Sequence, residues 1–428
     1  MRKQLHVVVR ARKDASAVEA ALERYYPDWE WEVDTVRGER DFSWIIGMCR
    51  ELFEDSNALW KVLLLGRRTY PRRARSRAMV VEDWAVVNVG KAEVRNARLA
   101  EIVDAIELGR AAPRLSVAFR GVPELRSGDV VVEDQDADVF LRWGRFAESV
   151  EEVTGVELEP GAYLSVRKPG NPPEEVLYDG SGRPVLRLVT PDEGEPEAGR
   201  LGEGEPFELE EFVKANEEVL EERFEESREF LREHVEEYSE VVVPVSGGKD
   251  SACCLALGRE VADELGLDLV AVYVDTGFDL GREVVDELEE TLGVDIERVD
   301  VSEAFRRGLK EKEPTPEDRW CTGVKVAGIR KVVSRLEDPV LVVGDRDAES
   351  RRRRLRPPVH ENRMLEVPEV NPLKWWSGAE VLGTLFRLDL PVSEFYERGF
   401  YRLGCSVCPS LTSWERALLG EEETLQGG

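Results

Sequence analysis

Residues 241–254 read VVVPVSGGKDSACC. Val241, Val242, Val243, Pro244 and Val245 have the composition of a buried strand, and they run straight into Ser246, Gly247, Gly248, Lys249, Asp250 and Ser251. The apolar-periodic segment that follows, 252–265, predicts a helix. Together these make a phosphate cradle. Two residues without a Cβ let consecutive backbone N–H groups turn toward an anion, the helix adds its positive end, and Lys249 supplies a mobile charge. The spacing is not G-x-x-x-x-G-K-[ST], so a Walker loop is excluded. A plain Gly-Gly turn would account for the glycines but not for the lysine, the aspartate and the two serines around them.

The chain has 428 residues, too many for one compact core, and this predicts two or three domains. The sequence contains no 18-residue apolar run, and MRKQLHVVVRARKD turns charged within a few residues; both predict a soluble, cytoplasmic protein. Six cysteines in so long a chain are not a disulfide framework and point to a reducing compartment. The net charge is −29, with 47 arginines against 12 lysines. Such an acidic excess suits a salt-rich cytoplasm, and the Glu and Arg content would also allow ion-pair networks at high temperature. Against that background a basic island is informative.

Residues 1–75 predict a small α/β unit to which the sequence assigns no chemistry; Cys49, in an apolar context, reads as a core residue. Residues 66–77, GRRTYPRRARSR, place Arg67, Arg68, Arg72, Arg73, Arg75 and Arg77 around Tyr70 and Pro71. A basic run with an embedded aromatic is how a loop grips a phosphate backbone and stacks on a base, so RNA is the expected partner; a solvated linker is the plainer reading. Short β patterns separated by turns fill 76–190. The phrases Gly128-Asp129-Val130-Val131-Val132 and Pro160-Gly161-Ala162-Tyr163-Leu164 resemble turns of PUA domains, RNA-binding β barrels, so this stretch is expected to be a mainly β, PUA-like module. Residues 191–206 read as an acidic, exposed linker, and 207–240 as one long charged helix that opens the last domain, 207–428.

From 241 onward strands alternate with helices, which predicts an α/β fold with a doubly wound parallel sheet, its ligands at the carboxyl ends of the strands. The six residues 246–251 resemble the PP-loop (SGGxDS) of the adenine nucleotide alpha hydrolase superfamily, whose members split ATP between the α and β phosphates. Further phrases follow in order: Asp275-Thr276-Gly277; Cys321-Thr322-Gly323-Val324-Lys325; Gly344-Asp345-Arg346 through Glu349-Ser350 to Arg351; Pro372 to Trp375 and Trp376; Gly404-Cys405-Ser406-Val407-Cys408-Pro409. Over about 240–410 they resemble the phosphoadenosine phosphosulfate (PAPS) reductase family, which includes FAD synthetases. The resemblance implies that Ser246, Gly247, Gly248, Lys249, Asp250 and Ser251 hold nucleotide phosphates, that Asp275, Thr276 and Gly277 lie beside the nucleoside, and that Gly344, Arg346 and Arg351 face the anionic reacting group. Guanidinium forks suit phosphate or sulfate oxygens, and Asp250 could hold Mg²⁺ against the nucleotide.

The chain departs from the reductases in having no cysteine after Cys408 to attack sulfur, and one cysteine, Cys321, where cluster-bearing reductases have a pair. Cys253 and Cys254 read as small core residues behind the loop. Cys321, Cys405 and Cys408 leave three readings open: a four-iron cluster with an open iron, as in some RNA-thiolating PP-loop enzymes; zinc completed by His360 or another ligand; or a plain cysteine turn. The leading expectation is an ATP-using transferase, with Lys249, Asp250, Cys321 and Arg346 catalytic, that adenylates a carbonyl oxygen of a tRNA base and admits a sulfur donor. Its alternatives are a sulfonucleotide reductase or sulfotransferase acting on PAPS or its dephospho analogue, and a nucleotide- or RNA-binding protein without turnover.

Overall fold

The computed structural model describes residues 3–74, 76–126, 130–191 and 194–423. Arg75, the Gly128-Asp129 turn and the two acids at 192–193 lie outside the described residues. Contacts divide the chain into two compact units. The first comprises Met1–Ala118, Glu124–Asp138 and Arg346–Pro358; the second comprises Phe119–Pro123, Val139–Asp345 and Val359–Gly428. The division at 75, 190 and 206 expected from composition does not follow these contacts. Among the described residues no helix is long and apolar enough to cross a membrane.

In the first unit, four strands run parallel in the order Trp31–Thr35, Leu5–Val9, Trp60–Leu65 and Trp84–Asn88, and Ala78–Val81 closes the edge antiparallel. The last two strands, read from sequence as the start of the β module, complete this sheet. Trp84 and Val86 pack with Ile45, Cys49 and Phe53 of the helix Phe42–Glu54, and burial pushes the Cys49 thiol up to about 12. The segment Arg346–Pro358 is built into the unit through charge. Arg346 donates to Asp138 at 2.8 Å, and Arg354 to Glu107 at 3.2 Å, all four buried. Arg110 bonds to Asp347 and lies 4.3 Å from the ring centres of both Trp29 and Trp60.

The second unit contains two sheets. One is a five-stranded meander in the order Glu197–Arg200, Pro184–Val189, Glu174–Tyr178, Tyr163–Lys168 and Asp138–Arg142. The expected linker therefore contributes a strand: Leu186 pairs with Arg200 and Val189 with Glu197. The PUA-like reading rests on its sequence phrases alone. The other sheet has six strands in the order Ile296–Asp300, Asp268–Asp275, Glu240–Val245, Pro339–Val342, Val367–Val370 and Val359–Asn362, parallel except at the last. The valines of the central strand are buried among neighbours on both sides, as a parallel sheet covered by helices requires. The long helix expected over 207–240 is two, Leu209–Ala215 and Glu217–Val235. They break at Asn216, whose amide donates to the carbonyls of Phe212 and Pro123 instead of pointing to solvent.

A buried ion pair joins the meander to the carboxyl-terminal segment. Arg142 Nε and Nη2 donate to the two carboxylate oxygens of Glu175 at 2.7 and 3.0 Å, Arg142 Nη1 donates to the Gly399 carbonyl at 3.0 Å, and the Tyr401 hydroxyl donates to Glu175 at 2.6 Å. Burial opposes the Glu175 charge, but Arg142 and these hydrogen bonds outweigh it and hold its pKa below the usual carboxylate range. Glu175→Gln should therefore cost about 3–5 kcal/mol by leaving Arg142 buried and unpaired, read by urea denaturation at pH 7. Because the folded pKa is depressed, the contribution is fully present above the ordinary glutamate pKa and is lost as pH falls through the folded one. Wild type and variant should converge in acid; a gap that stays constant to low pH would contradict the assignment.

Candidate functional site

The loop after Glu240–Val245 is fixed by close backbone contact. Gly247 has φ +71°, and a Cβ there would fall 1.9 Å from the Gly281 carbonyl oxygen, so glycine is required twice over. Gly248 then opens the helix Lys249–Leu265. Ser251 Oγ accepts from the Ser246 N–H at 3.1 Å, lies 3.1 Å from Ser246 Oγ and donates to the Gly248 carbonyl at 2.9 Å, so the two serines close the loop while Ser246 stays exposed.

Lys249 departs from expectation. It is 2% exposed, and its Nζ donates to Asp250 at 2.6 Å and to the Tyr401 carbonyl at 3.2 Å, while its N–H donates to the Tyr396 hydroxyl at 3.0 Å. It is a buried strut under the loop, not a mobile charge above it. Cys253 and Cys254 are buried behind the loop, and burial raises both thiol pKa values.

At the end of the neighbouring strand, Asp275 accepts from the Gly277 N–H at 2.8 Å and pairs with the exposed Arg282 at 3.2 Å. Thr276 turns inward, and its N–H and Oγ1 both donate to Asp279 Oδ2, at 2.8 and 2.6 Å. The other Asp279 oxygen accepts from Lys325 Nζ at 2.8 Å and lies 3.5 Å from Cys405 Sγ. Backbone bonds from Leu280 to Gly404 and from Ser406 to Phe278 clip the cysteine turn onto this loop. Burial opposes the Lys325 charge, and the Cys405 sulfur and Asp279 outweigh it, raising its pKa. Burial pushes the Cys405 thiol up to about 11 against the pull of Lys325, so it is neutral at pH 7.

The three cysteines do not fit a single cluster. Cys321 and Cys405 share an apolar cluster with Phe305, whereas Cys408 packs against another and lies 3.9 Å from Arg402 Nη2. Among the described residues no group of three or more His, Cys, Asp or Glu is placed to hold a metal ion, and His360 lies beside Glu369 at 3.5 Å.

Beyond the fourth strand, the backbone of Gly344 lies against Asp250. Arg346, expected to face an anion, is 1% exposed and consumed by Asp138 within the first unit; Arg351 remains exposed, 3.9 Å from Glu107. In the arginine run, Arg67, Arg68, Arg72 and Arg73 are exposed, and Arg77 is held by the Asn88 carbonyl and by Asp104 at 3.2 Å. Tyr70 offers no stacking face. It is buried in the core, its hydroxyl donates to the Ser76 carbonyl at 3.0 Å, and burial pushes its pKa up to about 12. The residues that sequence reasoning missed are Tyr396 and Tyr401, which carry no local signal, and Asp279, which the acid four places after Asp275 could have suggested.

In the sheet the loop strand is flanked by the strands ending at Asp275 and at Val342. Ser246–Ser251, Asp275–Thr276 and Gly344–Asp345 thus follow the carboxyl ends of three adjacent parallel strands. Strand order reverses between Glu240–Val245 and Pro339–Val342, the place where open α/β sheets leave a crevice for a ligand.

Residues 240–411 match the phosphoadenosine phosphosulfate reductase domain. An uncharacterized protein of Methanocaldococcus jannaschii is 31% identical over 254 residues, covering 56% of this chain and 52% of its own length. The adenosine 5'-phosphosulfate reductase of Salinibacter ruber is 30% identical over 142 residues, 32% of this chain and 56% of its own. The chain thus spans about half the length of these curated relatives. Among solved structures, a phosphoadenylyl-sulfate reductase from Candida auris in a phosphate complex is 16% identical and covers 44% of this chain and 95% of its own, with a TM-score of 0.34. Over residues 240–411, then, the chain is similar to the PAPS reductase domain.

Proposed function

We propose that the second unit binds ATP at Ser246–Ser251, cleaves it between the α and β phosphates, and transfers AMP to a carbonyl oxygen of an acceptor, the favoured acceptor being an RNA base. The observation that carries this reading is the closed Gly247–Ser251 loop at the switch point of a parallel sheet, with Asp275, Thr276 and Gly344 at the adjoining strand ends. The acceptor oxygen attacks the α phosphorus and pyrophosphate leaves. A hydrosulfide-type donor then adds at the activated carbon, and AMP departs with the original oxygen. The sulfur comes from the external donor, since a cysteine thiol adding at that carbon would stay joined to the protein as a thioether; Cys405 is packed against Asp279 and is not assigned the role. Asp250, partly exposed beside the loop and bonded through Oδ2 to Lys249 Nζ at 2.6 Å, is the carboxylate that would hold Mg²⁺, which when bound would neutralise phosphate charge. No step is assigned to an iron–sulfur cluster, because the three cysteines do not converge.

A second reading, reduction of a sulfonucleotide, draws on the relative named an adenosine 5'-phosphosulfate reductase. Product analysis separates the two. The proposal expects AMP and pyrophosphate from ATP, increased by RNA; sulfite from adenosine phosphosulfate with no ATP cleavage would replace it with the second reading, and neither product would leave binding without turnover.

Because Lys249 is a strut, Lys249→Ala should lose stability as well as turnover. Its charge-assisted hydrogen bonds are worth on the order of 1.5–3 kcal/mol each. Parallel urea denaturation and ATP-turnover measurements should show both falling; full stability with lost turnover would restore the lysine to a purely catalytic role. Ser251→Ala, at a half-buried loop position, should weaken ATP binding with a smaller stability loss, about 0.5–1.5 kcal/mol per hydrogen bond.

A further inference from the structure

The first unit has a switch point of its own. Its first strand, Leu5–Val9, lies between the second, Trp31–Thr35, and the third, Trp60–Leu65, all parallel, so the chain leaves the first strand toward opposite sides. The crevice such a sheet leaves is at the carboxyl ends of Leu5–Val9 and Trp60–Leu65. The loops there are laced together. The Gly38 N–H donates to the Arg10 carbonyl at 2.7 Å, Arg10 Nη1 donates to the Gly38 carbonyl at 3.0 Å, and the Arg67 N–H donates to the Lys91 carbonyl at 2.7 Å. A Cβ on Gly66 would fall 2.4 Å from the Ala92 carbonyl oxygen, so the loops after Trp60–Leu65 and Trp84–Asn88 meet there backbone to backbone. Arg10 and Arg68, from either side of the crevice, both reach the buried carboxylate of Glu93, at 3.3 and 3.7 Å.

Charge is one-sided in three of the four loops at this edge, while the loop after Trp31–Thr35 carries Glu39 and Asp41. Residues 10–13, 66–74 and 89–98 hold a single acid, Glu93, and it is buried under two arginines. The chain has 88 acidic residues against 59 Lys and Arg, so arginines gathered on one loop stand against its average. Arg67, Arg72 and Arg73 are exposed, and among the described residues their side chains make no hydrogen bond or ion pair. Three such guanidiniums on one loop, beside Arg10 and Arg68, suit an anion from outside. We infer that the carboxyl edge of the first unit's sheet is a second anion site, taking the phosphates of a free mononucleotide or of an RNA strand through arginine forks. Tyr70 is buried, so the loop supplies charge without a stacking ring, and recognition is of phosphate rather than base. The RNA source rests on the acceptor proposed above; the anion site does not.

Binding of a fluorescein-labelled RNA of mixed sequence and of a fluorescent AMP to the full chain tests this, in wild type, in Arg67→Gln/Arg72→Gln/Arg73→Gln, and in Ser251→Ala. If the ligand is RNA, wild-type affinity falls steeply with salt, and the triple variant flattens the log–log slope by about 2, at about 0.7 per phosphate. It binds at least tenfold more weakly at low salt, independent of RNA sequence, while Ser251→Ala binds RNA as wild type does. If the source is a mononucleotide, a class of AMP binding survives in Ser251→Ala and disappears in the triple variant, with RNA weak throughout. Wild type that binds neither probe outside the 246–251 loop, or a triple variant that binds both as wild type does, overturns the site. RNA binding without AMP and pyrophosphate formation would reject the catalytic reading alone.

Discussion

The Arg142–Glu175 pair is the interaction on which the second unit depends. Two charges taken out of water are costly, and in a protein interior they are tolerated only where geometry and extra hydrogen bonds offset the loss. Here both carboxylate oxygens are engaged by one guanidinium, the remaining guanidinium nitrogen finds the Gly399 carbonyl, and the Tyr401 hydroxyl adds a further bond to Glu175. The Tyr401 carbonyl in turn accepts from Lys249. A continuous chain of contacts therefore runs from the meander, through the carboxyl-terminal segment, to the base of the 246–251 loop. The meander is thus tied to the base of the loop by buried hydrogen bonds.

That scaffold explains how the strand ends divide their tasks. Lys249 and Tyr396 hold the loop from beneath, which leaves Ser246 at the surface at the six-stranded sheet's switch point. On the adjoining loop, Asp279 gathers Thr276, Lys325 and Cys405 into one buried polar group, and its charge is kept because Lys325 and the threonine satisfy it. The same group fixes the cysteine turn, so Cys405 serves as a packed, neutral thiol.

Much of this was legible in the sequence because it is local. The valine strand, the glycine turn and the helix behind it are contiguous, and four of the five parallel strands of the six-stranded sheet were marked by their local pattern, Val367–Val370 being the exception. What was not legible is what depends on distant partners. Tyr396 and Tyr401 lie 147 and 152 positions from Lys249, and nothing near the lysine announces that it is buried. Arg346 and the exposed Arg351 look alike in sequence, yet Asp138, 208 positions away, buries the first. Glu197–Arg200 is an edge strand of polar and small residues, so its composition reads as linker although its backbone pairs with Pro184–Val189. Tyr70 sits among arginines but packs on Trp84 and Val86, which only the sheet brings near.

The central claim is that the 246–251 loop is where nucleotide phosphates sit. The most direct measurement is a crystal structure of the full chain with a non-hydrolysable ATP analogue and Mg²⁺. The account predicts the phosphates against Ser246–Ser251, the nucleoside beside Asp275 and Thr276, and Lys249 still bonded to the Tyr401 carbonyl. Phosphates bound elsewhere with this loop empty would contradict it.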